Sequence, residues 1–149
     1  MRLTLHTDYA LRTLIYLALK NGPATIAEIA ERYRISENHL MKVVQRLGRE
    51  GFIKTVRGRG GGILLTKEPE TIRVGDVVRK TEDSLALVEC FDLKSNTCPI
   101  AGLCGLQRCL GEALAAYLAV LDRYTLADIS HGGRKLNRVL GLPSHAIGN

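Results

Sequence analysis

The sequence predicts a mainly α-helical winged helix-turn-helix with one small β-hairpin, followed by a long C-terminal dimerisation helix. Three observations predict it. Two short helical periods joined by a tight turn occupy residues 25–49, a strand, glycine loop and second strand follow at once, and the surplus positive charge lies in the same half of the chain. Residues 1–80 carry 15 Lys and Arg against 8 Asp and Glu, whereas residues 81–149 carry 6 against 7. A polyanion is the natural partner of the first half, and duplex nucleic acid is the commonest one in a cytoplasm.

Residues 8–19, DYALRTLIYLAL, place Leu11, Leu14, Ile15, Ala18 and Leu19 at helical spacing. Thr7 is the expected N-cap, Asp8 falls in the first turn, and Asn21-Gly22-Pro23 ends the helix. Thr25 caps a short second helix with Glu28 three residues on, the spacing of a capping box. Ser36 caps a third helix, to about Arg49, whose inner stripe is Leu40, Val43, Val44 and Leu47. Its leading end is polar and basic, as a recognition helix requires.

Phe52 to Val56 alternates like a strand and Ile63-Leu64-Leu65 returns. Between them, Arg57-Gly58-Arg59-Gly60-Gly61-Gly62 is a basic glycine loop. The pattern is a wing whose tip approaches a DNA backbone or minor groove. A nucleotide-binding loop would open a helix and carry GK[ST]; here a strand follows. Residues 73–80 form a short helix with Val74, Val77 and Val78 inward, completing a DNA-binding domain over 1–80.

Residues 81–105 are an irregular, cysteine-rich segment. A helical period then runs through Leu106, Leu110, Ala113, Leu114, Tyr117, Leu121 and Tyr124, with 106–130 assigned to this helix and its end. Its apolar seam either packs on its own domain or forms the favoured homodimer interface, which would let two recognition helices read a palindrome. Residues 131–149 are expected to be a weakly ordered tail.

The chain has 149 residues, 46% of them hydrophobic, enough for one compact domain or two small ones. No apolar stretch nears the ~20 residues of a membrane span. MRLTLHTDYALRTL carries charges where a signal peptide needs an apolar run. A soluble, cytoplasmic protein without a membrane partner is expected. Aromatic residues are only 5% and Trp is absent, which predicts an aliphatic core and argues against a base-stacking surface. No nucleophile–base constellation, nucleotide fingerprint or pair of catalytic carboxylates at a motif spacing is present, so no enzyme is expected.

All four cysteines, Cys90, Cys98, Cys104 and Cys109, lie within twenty residues. In a reducing compartment such a cluster points to metal or redox chemistry rather than disulfides. The spacing lacks the close pairs of structural zinc sites. Pro99 directly follows Cys98, as a proline follows a ligand in some ferredoxin motifs, and loop amides suit the sulfurs of an iron–sulfur cluster.

The segments LTLHTDYALRTLIYLA, SENHLMKVVQRLGREGFIKTVRGRGGGILL, IRVGDVVRKTE and LDRYTLADI, with the cysteine loop, resemble the bacterial family of winged-helix iron–sulfur repressors that has NsrR, IscR and RirA branches. The resemblance covers about residues 1–130. It implies that Cys90, Cys98 and Cys104 ligate one cluster per subunit. The fourth ligand separates the branches: where the IscR branch carries histidine this chain has Gln107, and where the nitric-oxide-sensing NsrR branch carries an aspartate supplied by the other subunit it has Asp8. The RirA branch carries asparagine at that position. The resemblance therefore implies a [4Fe–4S] cluster, with [2Fe–2S] as the alternative, in a dimeric repressor that releases operator DNA on nitrosylation. A carboxylate is a harder and more labile ligand than a thiolate, so the resemblance implies that its iron would be the entry point for nitric oxide. Taken without the resemblance, Asp8 reads as an ordinary helix-start carboxylate. Cys109 matches no family ligand and reads as a buried small hydrophobe, or as a redox or substitute ligand.

For DNA, Ser36, Asn38, His39 and Lys42 lead the recognition helix, and Arg57 and Arg59 sit at the wing tip. Asn reads adenine and Arg enters a narrow minor groove, while Lys42 and Arg46 are assigned to phosphates. Two rival readings stand beside this one: an iron- or cluster-status regulator on the same scaffold, and a thiol-redox or metal-binding protein with no DNA role.

Overall fold

The computed structural model describes residues 2–143. In chain order it has α1 (Leu5–Lys20), α2 (Ile26–Tyr33), α3 (Glu37–Arg49), β1 (Ile53–Val56), β2 (Gly62–Leu65), α4 (Val74–Thr81), α5 (Gly105–Leu121), α6 (Leu126–Ser130) and α7 (Gly133–Val139), with single 3-10 turns at Pro69–Thr71 and Glu89–Phe91. The mainly helical winged helix-turn-helix expected from the sequence is present.

The first helix starts one turn earlier than expected. Thr4, not Thr7, is the N-cap: its hydroxyl accepts the Thr7 N–H at 3.2 Å, while Thr7 is wholly buried. Asp8 keeps its place in the first turn. The chain leaves α1 through Asn21, whose φ of 51° is the left-handed cap that stops the helix. The Thr25–Glu28 capping box of α2 is closed in both directions.

Glu28 does more than cap. Its carboxylate accepts the Tyr16 hydroxyl at 2.7 Å and the Lys20 ammonium at 2.7 Å, which pins α1 to α2. Burial disfavours its charged form, but the hydrogen bonds from Lys20 and Tyr16 outweigh this and hold the carboxyl below its usual range. Burial, then Glu28, pushes the Tyr16 phenol up.

Arg34, at φ 55°, makes the tight turn between α2 and α3. Ser36 occupies the N-cap position of α3, yet its side chain makes no capping hydrogen bond. Leu40, Val43 and Leu47 face inward from α3 onto Ala10, Leu14 and Leu17 of α1 and Ile29 of α2, in the largely aliphatic core expected. Burying each such side chain contributes about 1.5–3 kcal/mol.

The strands pair antiparallel with Ile53 opposite Leu65 and Val56 opposite Gly62. The hairpin is stitched to the segment before α2 by Ala24 N–H donating to the Ile63 carbonyl at 2.9 Å and Ile63 N–H to the Ala24 carbonyl at 2.8 Å. Gly62 is required at this crossing: its φ is 149°, and a Cβ there would lie 2.4 Å from the Ala24 oxygen.

Val74, Val77 and Val78 of α4 are buried as expected. The end of α5 is clamped to this region. Arg79 forks onto both Asp122 carboxylate oxygens at 2.6 and 2.7 Å, and Arg73 donates to the Asp122 carbonyl at 2.6 Å. Val74 N–H donates to the Tyr124 carbonyl and Leu126 N–H to the Ile72 carbonyl. Gly75 leaves room for the fork, since a Cβ would fall 1.9 Å from Asp122 Oδ1.

Two C-terminal expectations are corrected. The long helix stops at Leu121, and α6 is a separate helix with its own capping box from Thr125 and Asp128. Within the segment read as a weakly ordered tail, α7 forms, because Leu140 and Leu142 are buried in the core and Leu136 packs against it. Residues 144–149, the remainder of that segment, lie outside the described residues.

Candidate DNA interface and cysteine loop

The geometry of α3 leaves its leading end open. Ser36, Asn38, His39 and Lys42 are all exposed, while Leu40 and Val43 between them hold the helix on the core. The uncapped Ser36 hydroxyl is free for an outside partner. Met41, half exposed, and Gln45, exposed, continue the same outer surface and went unremarked in the sequence; the helical period that marked the inner stripe also marks them. Arg57 and Arg59 stand exposed on the wing, spaced by Gly58 and Gly60 in positive-φ conformations. Recognition helix and basic wing thus present the donors that base edges and phosphates accept.

Arg46 points elsewhere. Expected at a phosphate, it donates from Nε to the Lys80 carbonyl at 2.9 Å. It also lies 3.3 Å from Glu50 and 3.8 Å from Asp83.

Asp8 is half-exposed on α1, with both carboxylate oxygens paired to Arg12 at 2.7 and 3.1 Å. The pair is the i, i+4 arrangement of a helix surface, legible in the spacing DYALR but not remarked there. Arg12 lies 5.7 Å from the centre of the Tyr9 ring, and Tyr9 meets the His39 ring edge-on with centres 6.2 Å apart. The surroundings of Asp8 therefore abut the leading end of the recognition helix.

The cysteine loop is carried between α4 and α5. Cys90, Cys98 and Cys104 are half-buried, Cys109 is exposed on α5 rather than buried as expected, and all four are free thiols. The structure does not gather these side chains: among the described residues no three His, Cys, Asp or Glu groups converge on a metal-sized position. Gln107, noted in the sequence only as standing where the IscR branch carries histidine, braces the loop. Its Nε2 donates to the Cys90 carbonyl at 3.2 Å and its Oε1 accepts the Gly102 N–H at 2.9 Å. Near the middle, Asp92 accepts from Lys94 N–H and the Ser95 hydroxyl, and the Ser95 bond is the main reason its carboxyl sits below its usual range. The donor set is three soft thiols in irregular backbone with no histidine, which suits an iron–sulfur cluster better than a hard cation.

An open, polar recognition helix beside a basic wing, on a winged-helix body, defines a DNA-binding transcriptional regulator. The chain belongs to the Rrf2 family, whose model, described as iron-dependent transcriptional regulator, matches residues 3–132. Within it the chain is NsrR-like. It is 54% identical over 142 residues to the HTH-type transcriptional regulator NsrR of Bacillus subtilis, covering 94% of this chain and 97% of that one. It is 49% identical over 144 residues to NsrR of Halalkalibacterium halodurans, covering 95% and 99%. Among solved structures it is similar to CymR, the global cysteine regulator of B. subtilis, with TM-score 0.70 and 31% identity over 87% of this chain and 96% of that one. It is also similar to T. potens IscR, with TM-score 0.67 and 30% identity over 87% and 85%. These relatives are transcriptional regulators, not enzymes. No helix among the described residues is long and apolar enough to cross a membrane.

Proposed function

We propose that the chain is a homodimeric, cytoplasmic transcriptional repressor that senses nitric oxide through a [4Fe–4S] cluster and releases operator DNA when the cluster is nitrosylated. The observation that carries this reading is the set of three half-buried free thiols in one loop, leading into a helix none of whose residues is fully buried by the described residues. Cys90, Cys98 and Cys104 would hold the cluster, and the partner subunit's Asp8 would supply the fourth ligand. Bound there, the cluster would offer one carboxylate-ligated iron as the site at which nitric oxide enters.

The residues of this chain suit the remaining tasks. Arg12 orients the Asp8 carboxylate, which retains lone pairs beyond those Arg12 uses. Through Arg12 and Tyr9, any shift of Asp8 is felt beside His39. Leu110, Leu114, Tyr117 and Leu121 form a half-buried stripe on α5, with Leu106 and Tyr124 exposed at its ends, and a second copy of α5 would cover it. Ser36, Asn38, His39 and Lys42 then meet the major groove, and Arg57 and Arg59 the backbone or minor groove.

The test is operator binding by anaerobically purified protein, with nitric oxide added in steps. Release of DNA in step with bleaching of the visible spectrum is the expected outcome. Release on iron depletion but not on nitric oxide would replace this reading with an iron-status regulator, and a two-iron cluster inert to nitric oxide would do the same. Binding unaffected by loss of all three thiols would remove the sensor role.

A further inference from the structure

The segment that leads from α4 into the cysteine loop is tied to the recognition helix, and one side chain makes the tie. Arg46 stands on α3 one turn beyond Lys42, towards the C-terminal end of the helix. Its Nε–H donates to the Lys80 backbone carbonyl at 2.9 Å, across 34 positions of sequence. Its guanidinium also faces Asp83 at 3.8 Å. Glu50, just past the end of α3, joins the knot: it lies 3.3 Å from Arg46 and 3.8 Å from the Lys80 ammonium. Lys80 in turn rests over the Phe52 ring at 5.5 Å, at the foot of the wing. Thr4, the cap of α1, donates from both N–H and hydroxyl to Glu82 at 2.9 and 3.0 Å. Residues 80–83 are thus held by α1, by α3 and by the start of the hairpin.

We propose that Arg46 is a positioning residue for DNA recognition: a strut that sets the angle of α3 against residues 80–83, rather than a phosphate contact. A guanidinium suits this work because its planar fork serves a carbonyl and two carboxylates at once, which a lysine ammonium on a flexible stem does not reproduce. The strut has a consequence that rests on the cluster reading above: residues 84–104 begin where Arg46 holds the chain, so rearrangement of the loop reaches α3 through this residue.

The two roles of Arg46 separate cleanly in the full-length protein. The probes are a duplex recovered from a randomised pool by the wild-type protein and a scrambled duplex of equal length. As a strut, both Arg46→Ala and Arg46→Lys lower affinity for the selected duplex about tenfold, the scale of one lost charge-assisted hydrogen bond. Affinity for the scrambled duplex stays the same, and so does the slope of log affinity against log salt. Backbone amides of residues 80–90 also exchange faster in the free protein. As a phosphate contact, Arg46→Ala would lower affinity for both duplexes and reduce the salt slope by about one per subunit. Arg46→Lys would then keep wild-type binding, and exchange over residues 80–90 would not change; that pattern overturns the proposal. Should Arg46→Ala fail to fold, Arg46→Lys alone decides, since the two roles predict opposite behaviour for it. Exchange over residues 80–90 in the free protein needs no cluster, so a protein that loads no iron would sink the sensor reading while leaving the strut to stand or fall by that readout.

Discussion

Residues 2–81 and residues 82–125 obey different packing rules. The first stretch supplies most of the core, with Ala10, Leu14, Leu17, Ile29, Leu40 and Leu47 almost completely sealed from solvent. The second contains no buried residue at all, although it includes the 17-residue helix α5 and nearly all of the cysteine loop. A helix gains most of its stability from burying an apolar face. A long helix with only half-buried apolar residues among the described ones therefore points to partners beyond it. The two ends of α5 sharpen the contrast. Its C-terminal end is locked by the Arg79–Asp122 fork and the backbone bonds around Tyr124 and Leu126, whereas its start at Cys104 is joined to the loop chiefly through Gln107. The DNA-binding body is sealed from within, with Leu126, Leu140 and Leu142 returning to its core, whereas the cysteine loop and the face of α5 stay open.

Leucine truncations on the two sides of this divide should behave differently. Leu14→Ala, in the sealed core, is expected to cost about 2–5 kcal/mol, read as a lower denaturant midpoint at any protein concentration. Leu114→Ala, on the open stripe of α5, should leave the thermal transition of a dilute sample nearly unchanged and raise the dimer dissociation constant in sedimentation equilibrium. Equal unfolding penalties for the two variants would erase the distinction between the sealed body and the open face of α5.

Smaller effects are expected at the DNA surface. Asn38→Ala should cost about 1–3 kcal/mol against the preferred duplex and relax the preference at one base position. Arg59→Ala should weaken all duplexes alike and lower the salt slope by about one per subunit. Neither substitution should alter the iron content. A change in iron content in either variant would show that body and loop are not separable as described.

The smallest effect concerns pH. Glu28 binds its proton less readily when folded than its usual value of 4.5 implies, despite the burial that opposes this, because Lys20 and Tyr16 hydrogen-bond the carboxylate. Its contribution is therefore complete above pH 4.5 and is lost as pH falls through the lowered folded value. Glu28→Gln should be less stable than wild type at neutral pH, and the gap should close on acidification, measured by urea midpoints across pH. A gap that widened in acid would contradict the geometry of the α1–α2 pin.

Much of the fold was legible because its signals are local. The Thr25–Glu28 box, the glycine wing and the valines of α4 each declare themselves within eight residues. Where tertiary contacts decide, the reading slipped. Thr4 and Thr7 both precede the apolar repeat, and burial of Thr7 settled the cap in favour of Thr4. The RKLNR stretch reads as polar tail, yet Leu136 beside Asn137, and Leu140 and Leu142 three and five residues beyond it, dock α7 on the core. The partner of Arg46, the Lys80 carbonyl, lies 34 positions along the chain, so no local spacing shows it. At the candidate site, the thiols were plain in the sequence, but the brace by Gln107 depends on a backbone fold that no spacing encodes.

The most direct measurement is the iron and sulfide content of anaerobically purified protein, with its visible spectrum recorded before and after nitric oxide. About four iron and four sulfide per subunit, with a spectrum that nitric oxide bleaches, is the expected result for a [4Fe–4S] sensor. A colourless protein that stays empty after anaerobic reconstitution would contradict it, leaving a winged-helix regulator whose loop answers to something else.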